Sequence, residues 1–383
     1  MKQIKILVIT KSIDGGTGTF ALSFKKITKH NNRIKLINLV LEKPSFRTLN
    51  SNEERMFAFL RKKNHYPSWY TLTPKNILSA FQEIMWAKKH VDIHKPDIVM
   101  GLDSHSNLLI SFLKYVTNMN YKVVLGTRID LLKTLEEKTS STSLVILKKL
   151  IQYFYNKADE LVCVSSGVAD SLKNDFGLRK QPWVIYNGID ISNKSKNKQK
   201  RMSPKPRILS IGRLVNQKDF ETLIYAFAQV EKKVSDVKLI IVGDGPKKAK
   251  LRKLCKTMGL EKKVTFTGWK NNLTTVMRSS DIFILSSKRE GFGWVILEAM
   301  AHGLPVIVTN SPHGPSEIVE NGIYGRMVEV GDSKNMAKDI LELIHDKSEY
   351  SHFSKKSFER ICFFNEKTMF NAYVRLFKNT LSI

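Results

Sequence analysis

Cysteine is nearly missing from this sequence of 383 residues. The three present, Cys163, Cys255 and Cys362, are odd in number and far apart, which excludes a disulfide framework and a C-x-x-C metal site. Also missing is a clean apolar run of about 20 residues, the length a spanning helix needs. The most apolar long stretches carry His105, Lys114 or Glu290. The N-terminal run from Ile4 to Ile9 is too short and too interrupted for a secretory signal. These absences read as a cytoplasmic protein, one that touches a membrane surface without crossing it. Three catalytic signatures are absent as well: a G-x-x-x-x-G-K-[ST] phosphate loop, a G-x-S-x-G nucleophile elbow, and an Asp-x-Asp pair to hold a metal on a diphosphate. His90 and His94 have ligand spacing but no third partner, so no metal site is expected. Carboxylates are scarce: 35 Asp and Glu stand against 63 Lys and Arg, a formal charge of +28. Such a balance points to an anionic partner, whether nucleic acid, an acidic membrane face or a phosphorylated substrate.

What is present is enough for two ordinary cores, with 42% hydrophobic residues. The segment Ile191 to Arg207 holds seven basic residues, no acidic ones and two prolines, so it reads as a solvated linker. Residues 1–190 carry a net +13 and residues 208–383 a net +8. Short apolar runs recur on both sides: 4–9, 34–41, 98–102, 122–125, 160–164 and 183–186 before the linker, then 207–211, 238–242, 264–267, 281–285, 305–308 and 325–328. Helical periodicity lies between them, as at 77–91, 143–156, 220–233, 247–258, 293–301 and 333–345. Strands of this kind separated by helices predict an α/β chain of two doubly wound, Rossmann-like parallel sheets facing a cleft. Ligands of such sheets bind beyond the carboxyl ends of the strands.

Candidate chemistry concentrates at those ends. In the first half, Gly16-Thr-Gly18-Thr-Phe-Ala21 follows the first strand and opens a helix, a place where backbone can approach an anion, or simply a tight turn. Arg128 closes the strand at 122–125 as a candidate first-domain cleft cation, or pairs with Asp130. In the second half, Gly212-Arg213 and Lys218 follow the strand at 207–211. A planar guanidinium fork and a mobile ammonium there suit a diphosphate, the alternative being a solvated basic loop. Asp244 lies in an Asp-Gly-Pro turn, and Gly268-Trp269 offers an aromatic to a nucleobase or to packing. The richest stretch runs from Ser287 to Val306. Glu290 could bond sugar hydroxyls, the amides of Gly291, Phe292 and Gly293 open a helix toward an anion, and Glu298, about two turns on along that helix, could accept from a ribose. Glu317 begins a further helix after His313, which reads as a loop residue.

The set formed by Glu290 and Glu298, Gly212-Arg213 with Lys218, Gly243-Asp-Gly-Pro246, Gly303-Leu-Pro-Val306 and Asn187-Gly-Ile-Asp190 resembles the retaining family 4 glycosyltransferases. The loop Gly314-Pro-Ser-Glu317 resembles the branch that builds bacterial surface glycans on lipid carriers. The resemblance implies a GT-B fold with an acceptor-side domain over 1–190, a linker over 191–207, a nucleotide-sugar domain over 208–362, and a last helix within 363–383 returning to the first domain. It implies Arg213 and Lys218 on the donor diphosphate, Glu290 on the donor sugar, Glu298 on the ribose and Gly16 near the diphosphate. Asp244, Gly268 and Trp269 join the donor-binding set. Where many relatives carry a histidine after the strand at 122–125, this chain has Thr127-Arg128-Ile129-Asp130.

The expected reaction is retaining transfer of a hexose or N-acetylhexosamine, from a UDP-sugar, to a glycan or lipid-linked acceptor in surface polysaccharide or lipopolysaccharide synthesis. No cofactor and no metal are expected, the fixed cations standing in for one. The expected setting is the cytosolic face of the inner membrane, with the basic first domain toward an anionic leaflet. A GT-B-type nucleotide-sugar epimerase is the alternative, although its first-half acids and bases are not evident. Nucleic-acid binding would explain the charge, but the sequence holds no recognised module for it.

Overall fold

The computed structural model describes residues 3–29, 33–44, 49, 51–61, 74–117, 119–191 and 200–383. The centre of the basic segment, 192–199, lies outside the described residues. The chain divides into two compact units, Met1–Asn187 with Lys367–Ile383, and Gly188–Glu366.

Among the described residues the first unit is built on seven parallel strands: Ile4–Thr10 (β1), Ile34–Glu42 (β2), Phe57–Arg61 (β3), Ile98–Gly101 (β4), Lys122–Thr127 (β5), Glu160–Cys163 (β6) and Trp183–Val184 (β7). Their order is β3-β2-β1-β4-β5-β6-β7. Helices Gly15–Lys29 (α1), Ser51–Glu54 (α2), Pro74–His94 (α3), Ser104–Thr117 (α4), Leu131–Lys138 (α5), Ser141–Lys157 (α6) and Ser166–Phe176 (α7) connect them. Alternate residues of β1 and β2, Leu7, Ile9, Leu39 and Leu41, share one core with Leu109 and Leu113 of α4 and Ile151 of α6. The helix starts carry their own capping signals: Asp130 accepts from the Lys133 N–H at 3.0 Å to cap α5, and Ser165 from the Val168 N–H at 3.3 Å to cap α7. The strand β3 was not legible, since Phe57–Arg61 is brief and flanked by charge.

The second unit repeats the plan with six parallel strands: Arg207–Ile211 (β8), Lys238–Val242 (β9), Val264–Phe266 (β10), Ile282–Leu285 (β11), Val306–Thr309 (β12) and Arg326–Val328 (β13), in the order β10-β9-β8-β11-β12-β13. Its helices are Phe220–Glu231 (α8), Lys248–Thr257 (α9), Thr274–Arg278 (α10), Trp294–Met300 (α11), Gly314–Val319 (α12), Ser333–His345 (α13) and Lys347–Ile361 (α14). In each sheet the winding reverses beside the first strand, between β1 and β4 and between β8 and β11, and this reversal is where such sheets open to ligands.

The closing helix is Glu366–Leu381 (α15). The family resemblance implied a last helix over 363–377, but the chain breaks at Asn365. Asn365 bridges Ile189, the Ile189 N–H donates to the Phe364 carbonyl at 2.9 Å, and the Glu366 N–H donates to the Ile189 carbonyl at 3.1 Å. In the first unit, α15 lays Phe370, Tyr373 and Phe377 on Phe20 and Phe24 of α1, with the Phe24 and Tyr373 centroids 5.0 Å apart. Among the described residues, no helix is long and apolar enough to cross a membrane.

Candidate functional site

At the carboxyl end of β8 the Gly212 N–H donates to the Val242 carbonyl at 3.0 Å. The methylene stem of Lys218 lies against Gly212, 3.3 Å from where a Cβ would stand. The loop ends at Asp219, a non-glycine residue at φ 45°, whose carboxylate accepts from the Thr222 hydroxyl at 2.8 Å. This loop is sewn to the one after β11. The Ser286 hydroxyl donates to the Lys218 carbonyl at 2.9 Å, the Lys288 N–H to the Gln217 carbonyl at 2.8 Å, and the Gln217 side-chain amide to the Arg289 carbonyl at 3.0 Å.

Across that seam the Lys218 ammonium donates to Oε1 of Glu290. The same oxygen accepts from the Ser287 hydroxyl at 2.6 Å. Glu290 is 8% exposed, so the pair stands in a sheltered setting where charge interactions are stronger than in water. Ser287 is itself held, its carbonyl accepting from the Thr309 hydroxyl at 2.5 Å. Arg213 sits on the Lys218 loop with its side chain exposed. The fold therefore joins Lys218 to Glu290 directly and keeps Arg213 on the same loop.

Gly291, Phe292 and Gly293 follow. Gly293 has φ 94°, which glycine adopts without strain, and α11 begins only after it. The helix starts after Glu290, in keeping with the periodicity over 293–301: Glu290 lies in the loop, and Glu298 is half-buried on α11. Phe292 is buried, its ring 5.7 Å from that of Phe364. Gly314 presses on its backbone, because a Cβ at 314 would lie 2.2 Å from the Phe292 Cα.

The loops after β9 and β10 close the same end of the sheet. Gly243, at φ 138°, must lack a side chain, since a Cβ would lie 1.9 Å from the Gly212 carbonyl oxygen. Its N–H donates to the Gly268 carbonyl at 2.9 Å. Asp244 accepts from the Gly245 N–H at 2.8 Å and pairs with Lys248 at 2.7 Å, and these partners, Lys248 first, hold its carboxyl below the usual range. Its contacts are those of a turn leading into α9. Trp269 is half-buried beside Gly268, its indole N–H donating to Asn271 at 3.0 Å. His313, at φ 77°, is a loop residue ahead of α12.

The first unit redistributes two expectations. Gly18, not Gly16, is the glycine that packing demands, as a Cβ at 18 would fall 1.7 Å from the Ile13 carbonyl oxygen, whereas one at 16 meets nothing within 4 Å. Arg128 does not pair with Asp130, which caps α5. Its guanidinium donates to the Asn187 side-chain oxygen, lies 4.1 Å from the Phe20 ring centroid and neighbours Tyr373, and burial lowers its pKa. Sequence reasoning passed over a polar cluster at the carboxyl ends of β1, β2 and β4. The Asp103 carboxylate accepts from the Thr10 hydroxyl at 3.0 Å and the Lys11 N–H at 2.7 Å, and His105 lies 2.8 Å from Glu83 with both side chains buried. Burial lowers the Lys11 pKa against the opposing pull of Glu42, Asp103 and Glu83. No local pattern in the sequence marked this cluster, since Glu83 stands beside Ile84 on the buried side of α3 only once the helices have packed.

Comparison with known proteins agrees with this plan. Residues 192–360 match the family model described as glycosyl transferases group 1, and residues 46–193 match the one described as glycosyltransferase family 4. Among curated relatives, the lipopolysaccharide core biosynthesis glycosyltransferase LpsE of Rhizobium meliloti is 31% identical over 59% of this chain and 66% of its own. A Campylobacter jejuni N-acetylgalactosaminyltransferase acting on a diphospho-undecaprenol-linked sugar is 32% identical over 53% of this chain and 55% of its own. The chain thus spans just under two thirds of the first of these and about half of the second. Among solved structures, Anabaena Alr3699/HepE in complex with UDP-glucose superposes with a TM-score of 0.77 at 23% identity over 99% of this chain and 100% of its own. The apo lipopolysaccharide outer core galactosyltransferase WaaB gives 0.71 at 19% over 99% of each. At these identities the likeness is one of fold, and that fold is GT-B.

Proposed function

We propose that this chain, which belongs to the family 4 glycosyltransferases, moves a hexose or N-acetylhexosamine from a nucleotide-activated donor to a glycan or lipid-linked acceptor, with retention at the anomeric carbon. The observation that carries this reading is the Lys218–Glu290 pair at the β8/β11 reversal, a sheltered cation and carboxylate held between two loops. The cation suits the donor's diphosphate and the carboxylate suits sugar hydroxyls, which it accepts as hydrogen bonds. Solved complexes of the Anabaena protein with UDP and UDP-glucose favour a UDP-sugar donor. The lipopolysaccharide and undecaprenol relatives favour a surface-glycan acceptor.

In the step itself the bond between the anomeric carbon and the phosphate oxygen breaks, and the acceptor oxygen bonds that carbon from the same face. The acceptor's proton passes to the departing phosphate oxygen. Lys218, Arg213 and the amides of Gly291 to Gly293 stabilise the charge that grows on the leaving diphosphate, which is where a fixed donor lowers a barrier most. Glu290 orients the sugar and Glu298 the ribose. Asp244, Gly268 and Trp269 border the nucleoside. A thermal-shift screen of nucleoside diphosphate sugars tests donor class, and the anomeric coupling constant of the product tests retention. Stabilisation by none of them, or an inverted product, would overturn the reading.

A further inference from the structure

The outward surface of one helical layer of the first unit is apolar where a soluble surface is ordinarily charged. Neighbouring helices α3, α4 and α6 bear eleven of the nineteen large apolar side chains that stand exposed among the described residues. On α6, Val145, Ile146, Leu150 and Tyr153 form a stripe at helical spacing, 40–55% exposed, while Leu147, Ile151 and Tyr155 fill the core side. On α4, Tyr115 is 70% exposed and Val116 52%. A groove of about 250 Å³ runs between these two helices, walled by Tyr115, Tyr153 and Phe154 with Lys114 and Lys157 at its sides. Lys149 interrupts the α6 stripe, and neither α4 nor α6 contains a single Asp or Glu. A contiguous patch of this kind marks an interaction site.

We propose that the α4–α6 surface is a docking face for a lipid bilayer with anionic headgroups. The charge pattern selects this occupant. A second copy of the chain would set these lysines against one another with no carboxylate from either helix to answer them. A bilayer supplies both chemistries at once, acyl chains for Leu150 and Val145, phosphates for Lys149 and Lys157, and a headgroup boundary for the two tyrosines. The purpose of such docking, reaching a lipid-linked acceptor, rests on the proposed function. Vesicle binding is read without donor or acceptor, so the two readings fail separately.

The test is flotation of the full chain with vesicles of phosphatidylcholine alone or mixed with phosphatidylglycerol. Binding is expected only to the mixed vesicles, and removing one surface lysine should weaken it about fivefold. Lys149→Ala with Lys157→Ala should therefore cost about twenty-fivefold. Leu150→Ser with Tyr153→Ser should remove the binding that survives high salt, at an unchanged melting temperature, because both side chains are exposed. Turnover on a soluble acceptor should be unaffected by either pair. Equal binding to both vesicle types, or undiminished binding by both variants, would overturn the proposal. So would a dimer that the Leu150/Tyr153 variant dissociates while flotation is unchanged, which would make the face a contact between copies.

Discussion

Lys218 and Glu290 lie 72 positions apart in the chain and meet as an ion pair, with the Ser287 hydroxyl on the same carboxylate oxygen. The contact exists because β8 and β11 are hydrogen-bonded neighbours, so the loops leaving them run side by side. If Lys218 serves the departing diphosphate, Lys218→Ala should lower kcat by about 10²–10³-fold, the typical effect of one lost charge-stabilising donor. Arg213→Ala should follow it, with less effect on folding because Arg213 is exposed. Steady-state kinetics with a UDP-sugar check this; normal kcat in both variants would remove the clamp from the mechanism. Ser287→Ala, which loosens Glu290 without removing charge, should raise the donor KM more than it lowers kcat.

The same cations make a further prediction. Because Lys218 and Arg213 place positive charge on the protein itself, transfer should continue in EDTA. A full loss in chelator, restored by manganese, would show that the diphosphate needs a metal that these side chains do not replace.

Gly314 offers a test away from any charge. An alanine there would put its Cβ 2.2 Å from the Phe292 Cα and 2.5 Å from the Phe292 carbonyl oxygen, so the backbone between Gly291 and Gly293 must shift. Gly314→Ala should weaken donor binding by displacing those amides, while Gly331→Ala, where a Cβ meets nothing, reports only the strain of φ 85°. Isothermal titration with UDP compares the two; equal affinities would mean that the Phe292 loop is not part of the donor site.

How far the sequence spoke depends on the kind of evidence each feature left. Strands such as Ile98–Gly101 and Val306–Thr309 are buried on both faces and announce themselves as unbroken apolar runs. Glu290 stood out because glycines follow it, and the same glycines left it ahead of the helix, which begins only after the φ 94° turn at Gly293. Arg128 looked like a cleft residue because it ends a strand. Its use by Asn187, Phe20 and Tyr373 depends on where α15 packs, which no local pattern records. Glu83 and His105 were illegible for a similar reason: they are far apart in sequence and pair only because α3 and α4 are adjacent.

Arg128 can be separated from catalysis by its stability effect. Hydrogen bonds to a charged group contribute about 1.5–3 kcal/mol, so Arg128→Met should destabilise the first unit by about 2 kcal/mol. Urea unfolding followed by tryptophan fluorescence measures it. Tyr373→Phe should cost less, as the ring packing on Phe24 remains. An Arg128→Met protein with unchanged stability and abolished turnover would return this residue to the substrate.

Burial pulls the Lys200 ammonium down to about 8 from 10.5, although Asp281 favours its charge, and its Nζ donates to the Met277 carbonyl at 3.1 Å. Below pH 8 both the folded and the unfolded chain hold this proton, and the folded state bears the whole cost of a buried cation. Between pH 8 and 10.5 the folded chain releases the proton while the unfolded chain keeps it. The unfolded state then binds more protons, so stability contributed by this group must rise with pH across that window and level off above it. Burial also shifts the neighbouring Asp281 carboxyl upward. Melting temperatures taken from pH 7 upward should therefore climb more steeply for the native chain than for Lys200→Met, and parallel curves would show that the Lys200 ammonium is not desolvated as its surroundings require.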